Sequence, residues 1–126
     1  MQLVQEYSEP IAGVMQYIRA HICEPLNREM LAEVAGFSVP HFHRIFQAEV
    51  GESAASYVRR LRMERAGRKL RMGAVDITEI ALAAGYDSHA AFSKAFRQHY
   101  GVSPSEFRQL GFTLATQLLR DKGWHK

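Results

Sequence analysis

Residues 31–57 read LAEVAGFSVPHFHRIFQAEVGESAASY, and residues 80–107 read IALAAGYDSHAAFSKAFRQHYGVSPSEF. The second stretch repeats the first. Ala32, Ala35, Gly36 and Phe37 align with Ala81, Ala84, Gly85 and Tyr86, each 49 residues further on. One extra residue in the second turn shifts the rest to 50, so that Phe42, Phe46, Gly51, Ser53 and Tyr57 meet Phe92, Phe96, Gly101, Ser103 and Phe107. Each copy reads as a short helix, a glycine-containing turn, a second helix and a glycine stop. Glycine marks such stops because it enters the left-handed backbone region beyond a helix end without steric cost. The expected unit is a helix-turn-helix, present twice.

Outward from the repeat, every segment reads as helix. Ser8 to Ile22 opens with a cap residue and Pro10, then sets Ile11, Met15, Ile18 and Ile22 on one face, the spacing of an amphipathic helix. Glu24-Pro25 ends it, since a residue before proline is pushed out of the helical region. Asn27 caps a helix that buries Leu31, Val34 and Ala35 and stops at Gly36; Ser38 caps a third helix that runs to Gly51. Ser53 opens a long fourth helix to about Met72, with Tyr57, Val58, Leu61, Ala66 and Leu70 inward. Gly67 sits inside it, at a cost of about 1 kcal/mol relative to Ala. Asp76-Ile-Thr-Glu79 reads as a capping box, and Ser103-Pro104-Ser105-Glu106 as another with proline at the first helical position. Ser88 caps the sixth helix and Gly101 terminates it. No strand-like alternation occurs. The expected fold is all-α, with about seven helices: two helix-turn-helix subdomains, 27–51 and 76–101, joined by a long linker helix, 53–72, with a final helix at 103–110. Residues 111–126 match no part of the repeat and read as a tail, or as the start of a missing C-terminal region.

At 126 residues the chain is expected to hold one domain, or one domain with a tail, and 47% hydrophobic residues are enough for a continuous core. No stretch approaches the ~20 apolar residues that span a bilayer, so no membrane association is expected. No sequence of the signal-peptide kind opens the chain, and no leader is expected. The single Cys23 has no internal disulfide partner, which fits a reducing cytoplasm. The net charge of +3 does not by itself demand nucleic acid, but its distribution is uneven. Arg59, Arg60, Arg62, Arg65, Arg68, Lys69 and Arg71 crowd one segment against Glu64 alone. Such a helix can follow phosphates or simply be a solvated face.

The outer faces of the repeated helices carry the chemistry. At about 100° per residue, Phe42, Ile45, Phe46 and Glu49 share one side of the third helix, and Pro40, His43, Arg44 and Gln47 lie opposite. In the sixth helix Phe92, Ala95 and Phe96 face inward, with Ala90, Ser93, Lys94 and Arg97 outward. The aromatic residues recur at strict helical spacing beside small residues and read as core rather than as a stacking platform. Arg44 can pair bidentately with guanine, His43 and Gln47 can meet base edges, and Lys94 and Arg97 can reach guanine or phosphate. At the helix starts Val39 and His89 are placed to touch bases, and Ser38 and Ser88 to cap and approach phosphate. Pro40, Ala90 and Ala91 let a helix come close to DNA, and Pro40 is tolerated where the first turn has spare N–H groups. Singly, each is an ordinary exposed side chain; as a matched set on two helices they point to double-stranded DNA.

The chain resembles the AraC/XylS family of bacterial transcription regulators. The resemblance covers residues 8–110 and is carried by LAEVAGFSVPHFHRIFQAEVG, by YVRRLRMERAGRKL and, most specifically, by DITEIALAAGYDSHAAFSKAFRQHYGVSPSEFR. It implies two helix-turn-helix subdomains on a linker helix, with reading helices 39–49 and 88–100 entering successive major-groove segments. It also implies base readers at Pro40, His43, Arg44 and Gln47 and at Ala90, Ser93, Lys94 and Arg97, and activation through RNA polymerase. Pro40 stands where many relatives carry a larger side chain, and Ala90 and Ala91 replace polar readers. Specificity is therefore expected to lean on the first helix. Many relatives also carry an effector-binding domain, so a small-molecule effector is expected only if such a domain is missing here. The chain reads either as a stand-alone regulator or as the DNA-binding piece of a longer one. The apolar ending (Leu114, Leu118, Leu119, Trp124) favours the second.

An enzyme needs convergent acids, bases or metal ligands. His41 and His43 point about 200° apart on a helix and cannot share a metal. No glycine-rich phosphate loop or nucleophile motif occurs, and no catalytic residue, metal or cofactor is expected. The competing reading is a helical protein-interaction module, which exposed large apolar groups on the outer faces would favour.

Overall fold

The computed structural model describes residues 2–73 and 76–123, and the side chains of 8–73 and 76–121. Among the described residues eight helices run in order: α1 Gln2–Ala20, α2 Arg28–Ala35, α3 Val39–Val50, α4 Ala54–Met72, α5 Ile77–Ala83, α6 His89–Tyr100, α7 Pro104–Gln109 and α8 Phe112–Gly123. No strand occurs among the described residues. The chain divides into two compact units, residues 1–59 and 60–126, with α4 contributing its first turns to one and the rest to the other.

In the first unit α1 packs on both α2 and α3. Ile11, Val14, Ile18, Leu31, Ala32, Phe42, Phe46, Ala54, Tyr57 and Val58 are buried. Arg19 Nη1 donates to Tyr57 Oη at 2.7 Å, and the Tyr57 ring meets Phe46 edge-on at 5.7 Å. Three expectations need correction. The helix starts before Ser8, which is therefore an interior residue rather than a cap, and continues through Pro10 with the loss of one backbone hydrogen bond. Val14 is buried where Met15 and Ile22 are only half-buried. Val34 is 43% exposed, because α2 turns Leu31 and Ala32 to the core and leaves position 34 beyond the edge of that face.

In the second unit Met63, Ala66, Leu70, Ile77, Ile80, Ala81, Ala84, Phe92, Phe96, Tyr100 and Phe107 form one cluster, completed by Ala115 and Leu119. Leu61, expected inward, is half-buried. Phe96 meets Phe107 edge-on at 5.3 Å, and Tyr100 Oη donates to the Met63 carbonyl at 3.3 Å. Burial, and then the charge of Glu64, push the Tyr100 phenol far above its usual range, against the opposing pull of Arg68. Ser103 and Glu106 form the expected capping box. Asp76 caps α5 differently from expectation: its carboxylate accepts from Thr78 N, two residues on, at 3.3 Å. The amide two residues on is the partner of an Asx turn, which an aspartate can take up in place of the longer-range cap.

Residues that matched nothing in the repeat form α8, and Leu119 and Ala115 complete the core of the second unit. Gly67 explains the fit. A Cβ there would lie 2.6 Å from Leu119 Cδ2 and 3.5 Å from the Tyr100 hydroxyl, so its absence lets α8 lie close on α4. Leu118 is half-buried, Leu114 is exposed, and Trp124 lies outside the described residues.

Candidate nucleic-acid interface

The second helix of each helix-turn-helix, α3 and α6, is fixed at both ends by its own sequence. In the first unit Asn27 Oδ1 accepts from Met30 N at 2.8 Å to start α2. Gly36, at φ 80°, ends it, with the Gly36 and Phe37 amides donating to the Glu33 and Ala32 carbonyls at 3.1 and 3.0 Å. Ser38 then caps α3 by accepting from His41 N at 3.4 Å, and Gly51 closes it. The second unit repeats the design: Gly85 at φ 91°, the Tyr86 amide donating to the Ala81 carbonyl at 3.0 Å, Ser88 accepting from Ala91 N at 3.1 Å, Gly101 as the stop. The extra residue of the second copy lies between Gly85 and Ser88, where the first copy has only Phe37 between Gly36 and Ser38.

The inward and outward faces fall largely where helical spacing puts them. Phe42 and Phe46, like Phe92 and Phe96, are fully buried and hold ring centroids 5.6 Å apart in both helices. On α3 Pro40, Arg44 and Gln47 are exposed, while Val39 and His43 are half-buried, His43 with its ring 5.8 Å from Phe42. On α6 His89, Ala90, Lys94 and Arg97 are exposed and Ser93 is half-buried. Ser38 and Ser88 are exposed at the two helix starts, their Oγ atoms engaged as caps. Hence each helix presents a polar, cationic strip beside small residues. Among the described residues the exposed large apolar side chains are Val34, Met72, Leu82, Phe112 and Leu114, none of them on α3 or α6.

Two contacts that bear on this surface, one of Glu106 and one of Arg62, were not legible from spacing. Glu106 lies 3.6 Å from Arg97, both side chains more than half exposed. The Ser103 backbone amide first, then the Ser103 hydroxyl and the Arg97 charge, hold the Glu106 carboxyl below its usual range. An exposed pair of this kind is worth little in stability, but it holds the Arg97 guanidinium near the start of α7. Arg62 lies beneath the second turn, with Nη1 3.0 Å from where a Gly85 Cβ would stand. Glycine is favoured there by its φ of 91°, and a Cβ would also make the end of the Arg62 side chain give by a few tenths of an ångström. Neither signal was available locally: both partners come from other helices.

The basic run in α4 is not one phosphate-following stripe. Arg60 pairs with Glu64 at 3.2 Å, Arg62 packs under the Gly85 turn, and Arg71 Nη1 donates to Thr116 Oγ1 at 3.1 Å. Arg59, Arg68 and Lys69 are exposed. Among the described residues no group of three His, Cys, Asp or Glu is placed to hold a metal, and no helix is long and apolar enough to cross a membrane.

Comparison with known proteins agrees with this geometry. The family model described as a helix-turn-helix domain matches residues 31–110. A Bacillus subtilis protein described as an uncharacterized HTH-type transcriptional regulator, YbfP, is 36% identical over 102 residues, which are 81% of this chain and 35% of that protein. The HTH-type transcriptional activator AarP of Providencia stuartii is 30% identical over 104 residues, 82% of this chain and 77% of AarP. This chain therefore spans about a third of the first relative's length and about three-quarters of the second's. Among solved structures, the DNA-binding domain of AdpA, a global transcriptional factor crystallised with a target DNA, superposes with a TM-score of 0.73 at 29% identity. That match covers 79% of this chain and 89% of the AdpA chain. With its matched residues, its all-helical fold and its duplicated helix-turn-helix, the chain belongs to the AraC/XylS family of transcription regulators and carries the family's paired helix-turn-helix domain.

Proposed function

We propose that this DNA-binding regulator domain reads double-stranded DNA sequence-specifically by laying α3 and α6 in adjacent major-groove segments, and that it serves as an activator. The observation that carries the reading is the matched outer face of the two helices, cationic, polar and free of exposed large apolar groups. In this reading Arg44 pairs with a guanine edge, Gln47 and His43 meet neighbouring bases, and Val39 and Pro40 allow close approach. On α6, His89, Ala90 and Ser93 lie along the groove, and Lys94 and Arg97 reach guanine or phosphate. Ser38 and Ser88 contact phosphates at the helix starts, where free N–H groups favour anions. The functional parts are the units 27–51 and 76–101, the linker 53–72 and the helix 103–110.

Because one chain supplies both readers, its site needs no palindrome. The two segments lie about one turn of DNA apart, ~34 Å, and a closer spacing of the helices bends the duplex at a cost of about 1–6 kcal/mol. Activation requires a contact with RNA polymerase, and the name of the similar AarP supports that direction. The work is done in the cytoplasm, in keeping with the exposed free thiol of Cys23. No catalytic step belongs to this reading.

Selection of bound duplexes from a random 30-base-pair pool at near-physiological salt tests it. An asymmetric motif with two clusters about one turn apart is expected. Absence of enrichment, with binding that vanishes as salt rises, would leave only phosphate attraction and favour a protein-interaction module instead.

A further inference from the structure

In the second unit α8 and the C-terminal half of α4 border an open pocket of about 610 Å³ lined by Glu64, Arg68, Arg71, Thr116, Leu119 and Arg120. That volume lies in the range of small-molecule sites, about 300–1,000 Å³. We propose that this pocket binds a small organic anion, with a carboxylate or phosphate head on an apolar body.

The charge balance calls for an anion. Three guanidinium groups share the pocket with one carboxylate, and that carboxylate already accepts from Arg60 at 3.2 Å. Arg68 and Arg120 are exposed and form no ion pair among the described residues. Arg71 is pre-set for recognition: Nη1 donates to Thr116 Oγ1 at 3.1 Å, and Cζ lies 4.6 Å from the centroid of the Phe112 ring. Its Nε is buried and has no hydrogen-bond partner among the described residues. A guanidinium held at one edge and stacked on one face loses little freedom on meeting an acidic group, and its planar fork suits carboxylate and phosphate alike. Leu119 and the arginine stems supply the apolar part of the wall, so a bare ion leaves that surface unused.

The DNA backbone is the other source of phosphate, and the helix faces argue against it. α8 packs on the cluster that holds Phe92, Phe96 and Tyr100, which lies on the opposite side of α6 from Ala90, Lys94 and Arg97. A duplex seated on the outer face of α6 would therefore meet the side of that helix opposite to the cluster on which α8 packs.

Amide NMR spectra of the 126-residue chain, recorded during titration with phenyl phosphate and with benzoate, test the proposal. Inorganic phosphate and benzyl alcohol supply the head alone and the body alone. We expect saturable shifts centred on residues 64–71 and 116–120, with at least one of the two complete probes binding about tenfold or more tightly than either fragment. The double variant Arg68→Ala/Arg120→Ala, altered at two exposed positions, should retain the native spectrum and weaken that binding by about tenfold or more. Preference between phenyl phosphate and benzoate identifies the head. Shifts that do not saturate, that centre on Arg44 and Lys94, or that survive unchanged in the double variant would overturn the proposal.

Discussion

In the first unit Phe42 and Phe46 face the core while Pro40, Arg44 and Gln47 stand outside; in the second, Phe92 and Phe96 take the inner places and His89, Ala90, Lys94 and Arg97 the outer ones. The inner faces are nearly interchangeable, down to the same 5.6 Å between ring centroids. The outer faces are not. One offers Arg44 and the Gln47 amide beside Pro40 and a half-buried His43, the other two alanines, an exposed His89 and two cations. Packing constrains a buried ring to its shape, whereas an exposed position answers only to whatever it meets. Duplication thus preserves the scaffold and leaves the outer faces to diverge. The units also differ in what closes them: α1 packs over the first helix pair, whereas α8, α7 and the second half of α4 complete the second.

The largest effects test the shared scaffold. Phe46→Ala and Phe96→Ala should each cost about 3–5 kcal/mol in urea unfolding, since each removes a fully buried ring. A difference between them well beyond about 1 kcal/mol would show that equal burial hides unequal packing. Next come the proposed readers. Arg44→Ala should cost about 1–3 kcal/mol and relax preference at one base position. Lys94→Ala should weaken binding to all sequences alike and lower the salt slope by about 1. A loss confined to one base position in the lysine variant would contradict the division of labour.

Smaller effects sharpen how the second unit is closed. Tyr100→Phe removes the bond to the Met63 carbonyl and should cost about 1 kcal/mol. Because the phenol is raised in the folded state, its protonated form contributes stability in full below the ordinary value of 10.0, and that contribution drains away as pH rises beyond it. The alkaline limb of a pH–stability profile should therefore flatten in the variant. Glu106→Gln should have the smallest effect and the opposite sense. Its folded carboxyl is lowered, so its contribution is present above the ordinary carboxylate value of 4.5 and lost as pH falls. In the variant the acid limb should lose that component and little else.

Much of this was legible in the chain because caps, stops and aromatic spacing are local signals. Ser38, Ser88 and Ser103 each sit three residues before the amide they bond, and a spacing of four places Phe42 over Phe46. What the chain hid depends on other helices. Gly67 reads as a helix defect until Leu119 arrives above it. Arg62 reads as part of a basic stripe until the Gly85 turn closes over it. Leu118 and Leu119 read as unfinished until α8 meets the core. Val34 shows the limit within one helix: an eight-residue element has room for two buried positions, and spacing alone did not say which. Of the proposed reader positions Pro40, Arg44, Gln47, His89, Ala90, Lys94 and Arg97 are exposed and Val39, His43 and Ser93 half-buried, and burial tells nothing of which base any of them would meet.

A single-base substitution scan of the selected duplex tests the central claim most directly, that one scaffold used twice carries two unequal readers. Affinities should fall by about 1–3 kcal/mol per substitution in the segment under α3, and by less than about 1 kcal/mol in the segment under α6. Equal losses in the two segments, or larger losses under α6, would contradict it.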